Sequence, residues 1–147
     1  MEIKIGIGLD SIQFGLLQPE LIKILGQPDK VNNEEREDHV VLYYNKIMTK
    51  FYFNLDSQGK LCSIATINPE IIFFERNVIG LEKEYIISLL KTNGVTSFDC
   101  EDYESFDSIF CEEIWSSFTF EFNRLREIEF SVLMDDSGDL EKWPESI

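Results

Sequence analysis

The sequence predicts an α+β fold built from two pseudo-symmetric helix-plus-β-meander repeats. The helical stretch at residues 14–29 is matched by residues 79–91 at an offset of 65 positions. The strand-rich segment 42–55 is matched by residues 109–122 at an offset of 67. Both offsets are far longer than a solenoid period, so the pattern predicts a two-repeat domain rather than an open array.

The first helix is predicted from an apolar stripe and from its end signals. Apolar residues in the segment 21–25 recur at spacings of three and four, which places them on one side of a helix. Pro19 is tolerated in the first turn, whereas Gly26 and Pro28 end the helix. Repeat two places its helix at residues 83–91. The predicted core residues are Leu21, Ile24, Leu25, Phe53, Ile86, Leu90 and Phe120.

Alternating apolar residues predict antiparallel strands after each helix. The predicted strands are 40–45, 49–55 and 61–67 in the first repeat, and 108–112, 116–122 and 125–133 in the second. Short loops between consecutive strands favour hairpins, so we expect one antiparallel sheet of six to eight strands with both helices packed on one face. The other face is expected to be partly wet and available for docking. Residues 32–38 are predicted to form a solvated loop, and residues 71–74 an extended link.

The predicted domain organisation is a single domain, 1–147. Its repeats cover about 1–68 and 69–134, and a short acidic tail covers 135–147, in which little apart from Leu140 and Trp143 is expected to pack. An apolar content of 44% and an aromatic content of 13% are typical of a globular chain. The three cysteines are expected to be buried or half-buried thiols rather than a disulfide framework or a zinc site.

Hydrophobic patterning also bears on location. The chain has no stretch near 18 apolar residues, which predicts no membrane span. The first ten residues lack a basic region followed by a long apolar run, so no secretory signal is predicted. The expected location is cytoplasmic.

The net charge of −15 is unevenly distributed along the chain. Residues 1–76 carry 11 acidic and eight basic residues, whereas residues 77–147 carry 17 acidic and five basic residues. Nucleic-acid binding through phosphates requires basic side chains, so nucleic acid is excluded as a partner. The charge favours a basic protein partner, or serves solubility alone.

The candidate partner-binding site is the acidic run at residues 99–113, which contains no base and is interleaved with aromatic residues. Aromatic anchors inside a charged rim are typical of a protein interface. The candidate residues are Asp102, Tyr103, Glu104, Phe106, Asp107, Glu112, Glu113 and Trp115. Two alternatives remain open: the run is only a solvated loop, or the docking surface is the open face of the sheet.

A family resemblance follows from the first repeat. It reads G-L-x-x-x-x-L-I-x-x-L-G-x-P from Gly15 to Pro28, and continues with a Tyr-Tyr pair, a Phe-x-Phe motif and a Gly-Lys-Leu turn. This resembles the helix-plus-three-strand repeat of the SmpA/OmlA outer-membrane lipoproteins, and two units in tandem look like the β-lactamase-inhibitor-protein-like fold. The second repeat lacks the Gly-x-Pro stop, and the chain lacks a lipoprotein signal, so the lipoprotein role is not expected to carry over. The resemblance implies a fold used for protein inhibition and scaffolding.

Catalytic and metal motifs are not evident in the sequence. His39 is the only histidine and has no marked Ser or Cys partner, so no catalytic triad, and no enzyme activity, is predicted. The acidic run lacks the residue order of a calcium-binding loop, so no metal or cofactor is predicted. We therefore expect a protein-binding inhibitor, such as an immunity protein that neutralises a basic toxin, possibly a nuclease. The alternative class is a scaffold or ligand-binding domain unrelated to toxins.

Overall fold

The computed structural model describes residues 1–145 and contains two α-helices and a mostly antiparallel set of strands. The predicted α+β class is therefore confirmed. The helices are α1 (Gln18–Leu25) and α2 (Lys83–Thr92). The strands are β1 (Ile3–Lys4), β2 (Gly8–Leu9), β3 (Ile12–Gln13), β4 (Lys30–Asn32), β5 (His39–Tyr44), β6 (Thr49–Asn54), β7 (Lys60–Thr66), β8 (Ile72–Phe73), β9 (Arg76–Asn77), β10 (Asp99–Asp102), β11 (Asp107–Cys111), β12 (Ser116–Glu121) and β13 (Arg124–Ser131).

Eight of these strands form one antiparallel sheet in the order β10-β11-β12-β13-β7-β6-β5-β4. Each helix is followed along the chain by four strands of this sheet, and the two groups of strands meet where β13 pairs with β7. The edges of the sheet are β10 and β4. The predicted extended link at residues 71–74 instead contributes β8 to a small hairpin with β9.

Helix α1 is shorter than the stretch that predicted it. The Leu17 N–H donates to Glu20 Oε1 at 3.0 Å, and the helix ends at Gly26, whose φ of 85° favours glycine. Only Leu21 is fully buried, whereas Ile24 is 49% exposed and Leu25 is partly buried. The prediction of a buried Ile24 is therefore wrong, because an eight-residue helix at the rim of the core buries only the centre of its apolar stripe.

The core lies between the two helices and one face of the sheet. Leu21 of α1 and the pair Ile86 and Leu90 of α2 belong to the same cluster as the inward-facing rings of the strands. Phe53 and Phe120 are fully buried in this cluster, as the sequence predicts. We call the opposite side of the sheet the open face.

Strand β7 departs from simple alternation at a bulge. The sequence pattern places Leu61 and Ser63 on one face. In the structure Tyr52 pairs with Ser63 and Phe53 pairs with Leu61, which leaves Cys62 as an extra residue. Leu61 therefore faces the core, whereas Ser63 lies on the open face with Tyr52. The predicted facing of these residues was wrong because a bulge shifts the alternation by one residue.

The chain after β13 folds back onto the protein. The Lys142 N–H donates to the Leu133 carbonyl at 2.7 Å, and Trp143 packs against the core cluster with the Lys60 ammonium 5.0 Å from its ring centre. Leu140 is exposed. Residues 146 and 147 of the predicted tail lie outside the described part of the chain. Within residues 1–145, neither helix has the length and apolarity needed to cross a membrane.

Candidate functional site

The predicted acidic run forms a hairpin, residues 99–111, at one edge of the sheet; we call it the acidic hairpin. All four residues of its edge strand β10 are exposed. At the turn, the rings of Tyr103 and Phe106 stack with centroids 4.6 Å apart, and both remain more than one-third exposed. Asp102 and Glu104 are exposed beside this pair. The tip therefore presents two aromatic rings among free carboxylates, as an interface anchor would.

Asp107 lies at this tip but is engaged in an ion pair. Its carboxylate accepts a hydrogen bond from Lys83 Nζ of α2 at 2.7 Å. This hydrogen bond raises the pKa of Lys83. Because Asp107 points toward the helix, it ties the acidic hairpin to α2 and has less charge to offer a partner.

The remaining predicted residues lie at the far end of β11, about 17 Å from the tip for a five-residue strand. Glu113 accepts hydrogen bonds from the backbone N–H groups of Thr96 and Ser97, both at 2.7 Å, and these bonds lower its pKa. Glu112 is exposed in the adjoining 3₁₀ turn. The Trp115 ring packs edge-on against Phe110 at 5.5 Å. The eight predicted residues thus occupy two ends of one hairpin.

The acidic hairpin also presents different residues on its two sides. Ile109 is buried in the core, so its neighbour Phe110 lies on the open face. Asp99 pairs directly with Phe110, and Glu101 pairs with Ser108. Directly opposed residues share a face, so these two carboxylates also border the open face.

A cleft of about 480 Å³ lies at the centre of the open face, and we call it the central cleft. Its floor comes from β7 and β13, the two strands that join the halves of the sheet. Its rim includes the partly buried aromatic pair beside the acidic hairpin and one acid of the C-terminal segment. Its lining includes Ser63, Phe110, Trp115, Glu129, Ser131 and Glu141.

Polar groups on the floor of the central cleft bond to one another. Arg36 Nη2 donates to Glu129 Oε1 at 2.6 Å, and Ser63 Oγ donates to Glu129 Oε2 at 2.9 Å. The hydroxyls of Ser63 and Ser131 also share a hydrogen bond, at 2.9 Å. His39 also lines the cleft, but its Nδ1 lies 2.8 Å from the Glu37 carbonyl. This network differs from a nucleophile–base–acid relay, in which histidine would contact the serine.

Residues 33–38 form a strap over the open face, where the sequence predicts only a solvated loop. Glu35 accepts hydrogen bonds from Tyr52 Oη at 2.7 Å, Lys50 Nζ at 3.0 Å and Tyr43 Oη. Burial raises the pKa of Glu35, but these three hydrogen bonds outweigh it and lower the pKa to about 2. The guanidinium of Arg36 lies 4.0 Å from the Tyr52 ring centre. The strap is therefore fastened by both an acid and a base.

Replacing the acid of the strap should loosen it. Glu35→Gln is expected to speed tryptic cleavage after Arg36 at neutral pH, because the amide forms weaker bonds with two hydroxyls and loses the ion pair with Lys50. The measurement is the cleavage rate followed by mass spectrometry. Glu34→Gln is the matched control, because Glu34 is the adjacent acid of the strap and its side chain is exposed. Equal cleavage rates for the two variants would contradict the anchoring role of Glu35.

The same anchor has a defined pH dependence. Glu35 has a folded pKa of about 2, below its ordinary value of 4.5, so it contributes stability above pH 4.5 that is lost as the pH falls toward 2. The difference in unfolding free energy between wild type and Glu35→Gln should therefore shrink over this range. The magnitude is small because Glu35 lies at the surface, where solvent screens its interactions.

Several cleft residues were absent from the predicted site. Their signal lay in the alternation of β13, where Ile128 and Phe130 face the core and Glu127, Glu129 and Ser131 face the other way. Burial raises the pKa of Glu127, although nearby Lys50 opposes that effect. A strand that alternates buried rings with acids indicates a polar open face, and this signal was available in the sequence.

The three cysteines differ in their exposure to solvent. Cys62, Cys100 and Cys111 are free thiols, and Cys100 is exposed, contrary to the predicted burial. Burial raises the pKa of Cys62 to about 12 and that of Cys111 to about 11. Among the described residues, no group of three or more His, Cys, Asp or Glu side chains is arranged to hold a metal ion.

Comparison with known proteins gives a likeness in fold to a solved structure. No protein-family model matches the chain, and no curated protein matches it. A solved structure of an extracellular protein containing a SCP domain, from Bacillus anthracis str. Ames, is similar with a TM-score of 0.53 and 13% identity. The match covers 80% of this chain and 43% of that chain, so this chain spans less than half of that protein. At this identity the likeness concerns the fold alone.

Proposed function

We propose that the chain contains two pseudo-symmetric copies of one helix-plus-meander unit, about 1–68 and 69–134, as in the tandem SmpA/OmlA-like fold that the sequence resembles. Matching hydrogen bonds support this proposal. The Gly15 N–H donates to the Leu61 carbonyl and the Leu61 N–H donates to the Leu16 carbonyl. In the second half, Gly80 and Leu81 make the same two bonds with Leu125.

Further correspondences support the same proposal. Met48 and Trp115 follow equivalent 3₁₀ turns and both adopt left-handed backbone, with φ of 50° and 46°. The bulge at Cys62 has a counterpart at Arg126, where the pairing of β12 with β13 shifts between Thr119 and Phe120. A duplicated unit of this kind yields a broad sheet with one face free.

We further propose that the protein is a non-enzymatic inhibitor that binds a basic protein partner, as a cytoplasmic immunity protein binds a toxin domain. One observation carries the proposal: the open face is continuous from the acidic edge to the central cleft. The surface runs from Asp99 and Glu101, past Phe110 and Trp115, to Glu129. It combines a charged rim with partly exposed aromatic rings, which is the anatomy of a protein interface. The net charge of −15 would steer a basic partner toward it.

A second candidate function is a ligand-binding domain with no toxin partner. The central cleft favours it, because about 480 Å³ falls within the usual range of small-molecule sites. The two functions differ in what they require. An inhibitor needs the acidic edge for association, whereas a small-molecule site within the cleft does not.

The binding proposal predicts a salt-sensitive complex. The partner is captured by pull-down. Where a neighbouring reading frame encodes a large secreted protein, that protein is the first candidate to test. Association rates are then measured at low and high salt for wild type and for the pair Asp99→Lys and Glu101→Lys. We expect the pair to slow association about tenfold or more at low salt, because rim charges act on the on-rate. Co-expression should also protect cells from the toxin domain.

Two further variants locate the docking surface. The pair Asp102→Lys and Glu104→Lys reverses free acids at the tip of the acidic hairpin and should have a smaller effect. Reversal of Glu113 is avoided, since it holds the loop at residues 96–97. The matched control is Glu70→Lys with Glu75→Lys, two exposed acids on a separate loop. The proposal fails if all three pairs bind the partner alike and salt has no effect.

A further inference from the structure

The central cleft combines groups that together favour one class of ligand. The rings of Phe110 and Trp115 meet edge-on at its rim and are each only partly buried. Glu129 and Glu141 each place a carboxylate at the cleft, against the single guanidinium of Arg36. An aromatic wall beside excess negative charge attracts a cation that can donate hydrogen bonds.

The protein itself shows how a guanidinium sits on this face. Arg36 lies with its guanidinium carbon 4.0 Å from the centre of the Tyr52 ring and donates to Glu129 at 2.6 Å. Arg36 belongs to the strap, which lies far from β13 in the sequence. Its environment is one aromatic face, one carboxylate and a serine hydroxyl bonded to that carboxylate.

The rest of the cleft lining provides the same kinds of group without a second cation among the described residues. Trp115 and Phe110 provide the aromatic wall there, and Ser131 provides a hydroxyl. Glu141 provides the carboxylate, held in place by a hydrogen bond from Ser57 Oγ to one of its oxygens. Among residues 1–145, its second carboxylate oxygen accepts no hydrogen bond.

We propose that the central cleft receives an arginine or lysine side chain of the basic partner, between the Trp115–Phe110 wall and the carboxylates Glu129 and Glu141. This inference rests on the proposed function, since it names the group by which the partner is recognised. It also explains why the aromatic pair stands at the cleft rather than in the core. The acidic edge then steers the partner, and the cleft holds one cationic side chain of the partner in place.

The test uses a small probe, so it does not depend on the partner. N-acetyl-L-arginine amide is titrated into the full chain and followed by amide and indole NMR signals. We expect weak, saturable shifts at the Trp115 indole and at the Ser63 and Ser131 amides. Neutral N-acetyl-L-citrulline amide, which has nearly the same shape, should leave these signals unchanged.

Two variants test the assigned groups. Glu141→Gln keeps the acceptor for Ser57 but removes the charge, and Trp115→Leu keeps an apolar side chain but removes the ring. Each should weaken probe binding roughly threefold or more. Glu145→Gln, an exposed acid of the same C-terminal segment, is the matched control and should bind as wild type does. Because Glu141→Gln changes no packing, it remains informative even if Trp115→Leu unfolds.

The outcomes separate this inference from the proposed function. The inference is overturned if shifts spread over the acidic surface without saturating, if citrulline acts equally, or if neither variant weakens binding. A captured partner could bind wild type, Glu141→Gln and Trp115→Leu alike and yet bind more slowly to the Asp99→Lys and Glu101→Lys pair. In that case the proposed role of the cleft is rejected and the inhibitor function stands. If the probe binds as expected but the candidate toxin does not, the cleft stands and the inhibitor function fails.

Discussion

Phe120→Ala is expected to lower the free energy of unfolding by about 3–5 kcal/mol. The ring is fully buried in the core between the helices and the sheet, and it has the Lys83 ammonium 5.9 Å from its centre. Truncation removes most of the buried side chain and leaves a cavity that the paired strands cannot close. A loss of this size is a large fraction of the stability of an ordinary domain.

The companion variants make this prediction specific. Phe53→Ala should cost a similar amount, because Phe53 is equally buried and occupies the corresponding place beside the bulge of the first half. Ile24→Ala is the control and should stay within about 0.5 kcal/mol, since this side chain is 49% exposed. Urea denaturation with equal m-values measures all three. A loss below about 1 kcal/mol for both phenylalanine variants would contradict the described core.

Six of the eight strands in the sheet were predictable because each carries its own pattern, whereas the edge strands β4 and β10 were not predicted. Phe51 and Phe53 recur at a spacing of two within residues 49–54, and the predicted strand differs from β6 by one residue at its end. The helices carried a stripe and end signals in the same way. The apolar stripe does not predict how the helix tilts against the sheet. That tilt decides that Leu21 is buried and Ile24 is not.

The strap was missed because its contacts depend on pairing between distant strands. Glu35 and Arg36 lie in a run of charged residues that is typical of a solvated loop. The Tyr52 hydroxyl that donates to Glu35 and the Glu129 carboxylate that accepts from Arg36 come together only after β6, β7 and β13 have paired. A single sequence gives the composition of the strap but not the surface beneath it. The bulge at Cys62 was missed for the same reason, because it exists only as a mismatch between two strands.

Gly8→Ala is expected to destabilise the N-terminal hairpins by about 3 kcal/mol or more. Gly8 has a φ of 149°, and a Cβ there would lie 1.9 Å from the Ile12 carbonyl oxygen. That oxygen belongs to the backbone of the paired strand β3, so no side chain can move aside to relieve the overlap. The hairpin must separate, and with it Leu9 and Ile12, which are buried in the core.

The measurement is urea denaturation combined with hydrogen exchange at the amides of β2 and β3. Gly59→Ala is the matched control: Gly59 also has a positive φ, of 73°, but its added Cβ would meet nothing within 4 Å. The control therefore carries only the backbone strain, about 1 kcal/mol. Gly8→Ala should also accelerate exchange throughout the hairpin, whereas Gly59→Ala should leave it protected. Equal losses in the two variants, with protected amides in both, would mean that the hairpin accommodates a side chain at Gly8 and is not held as closely as described.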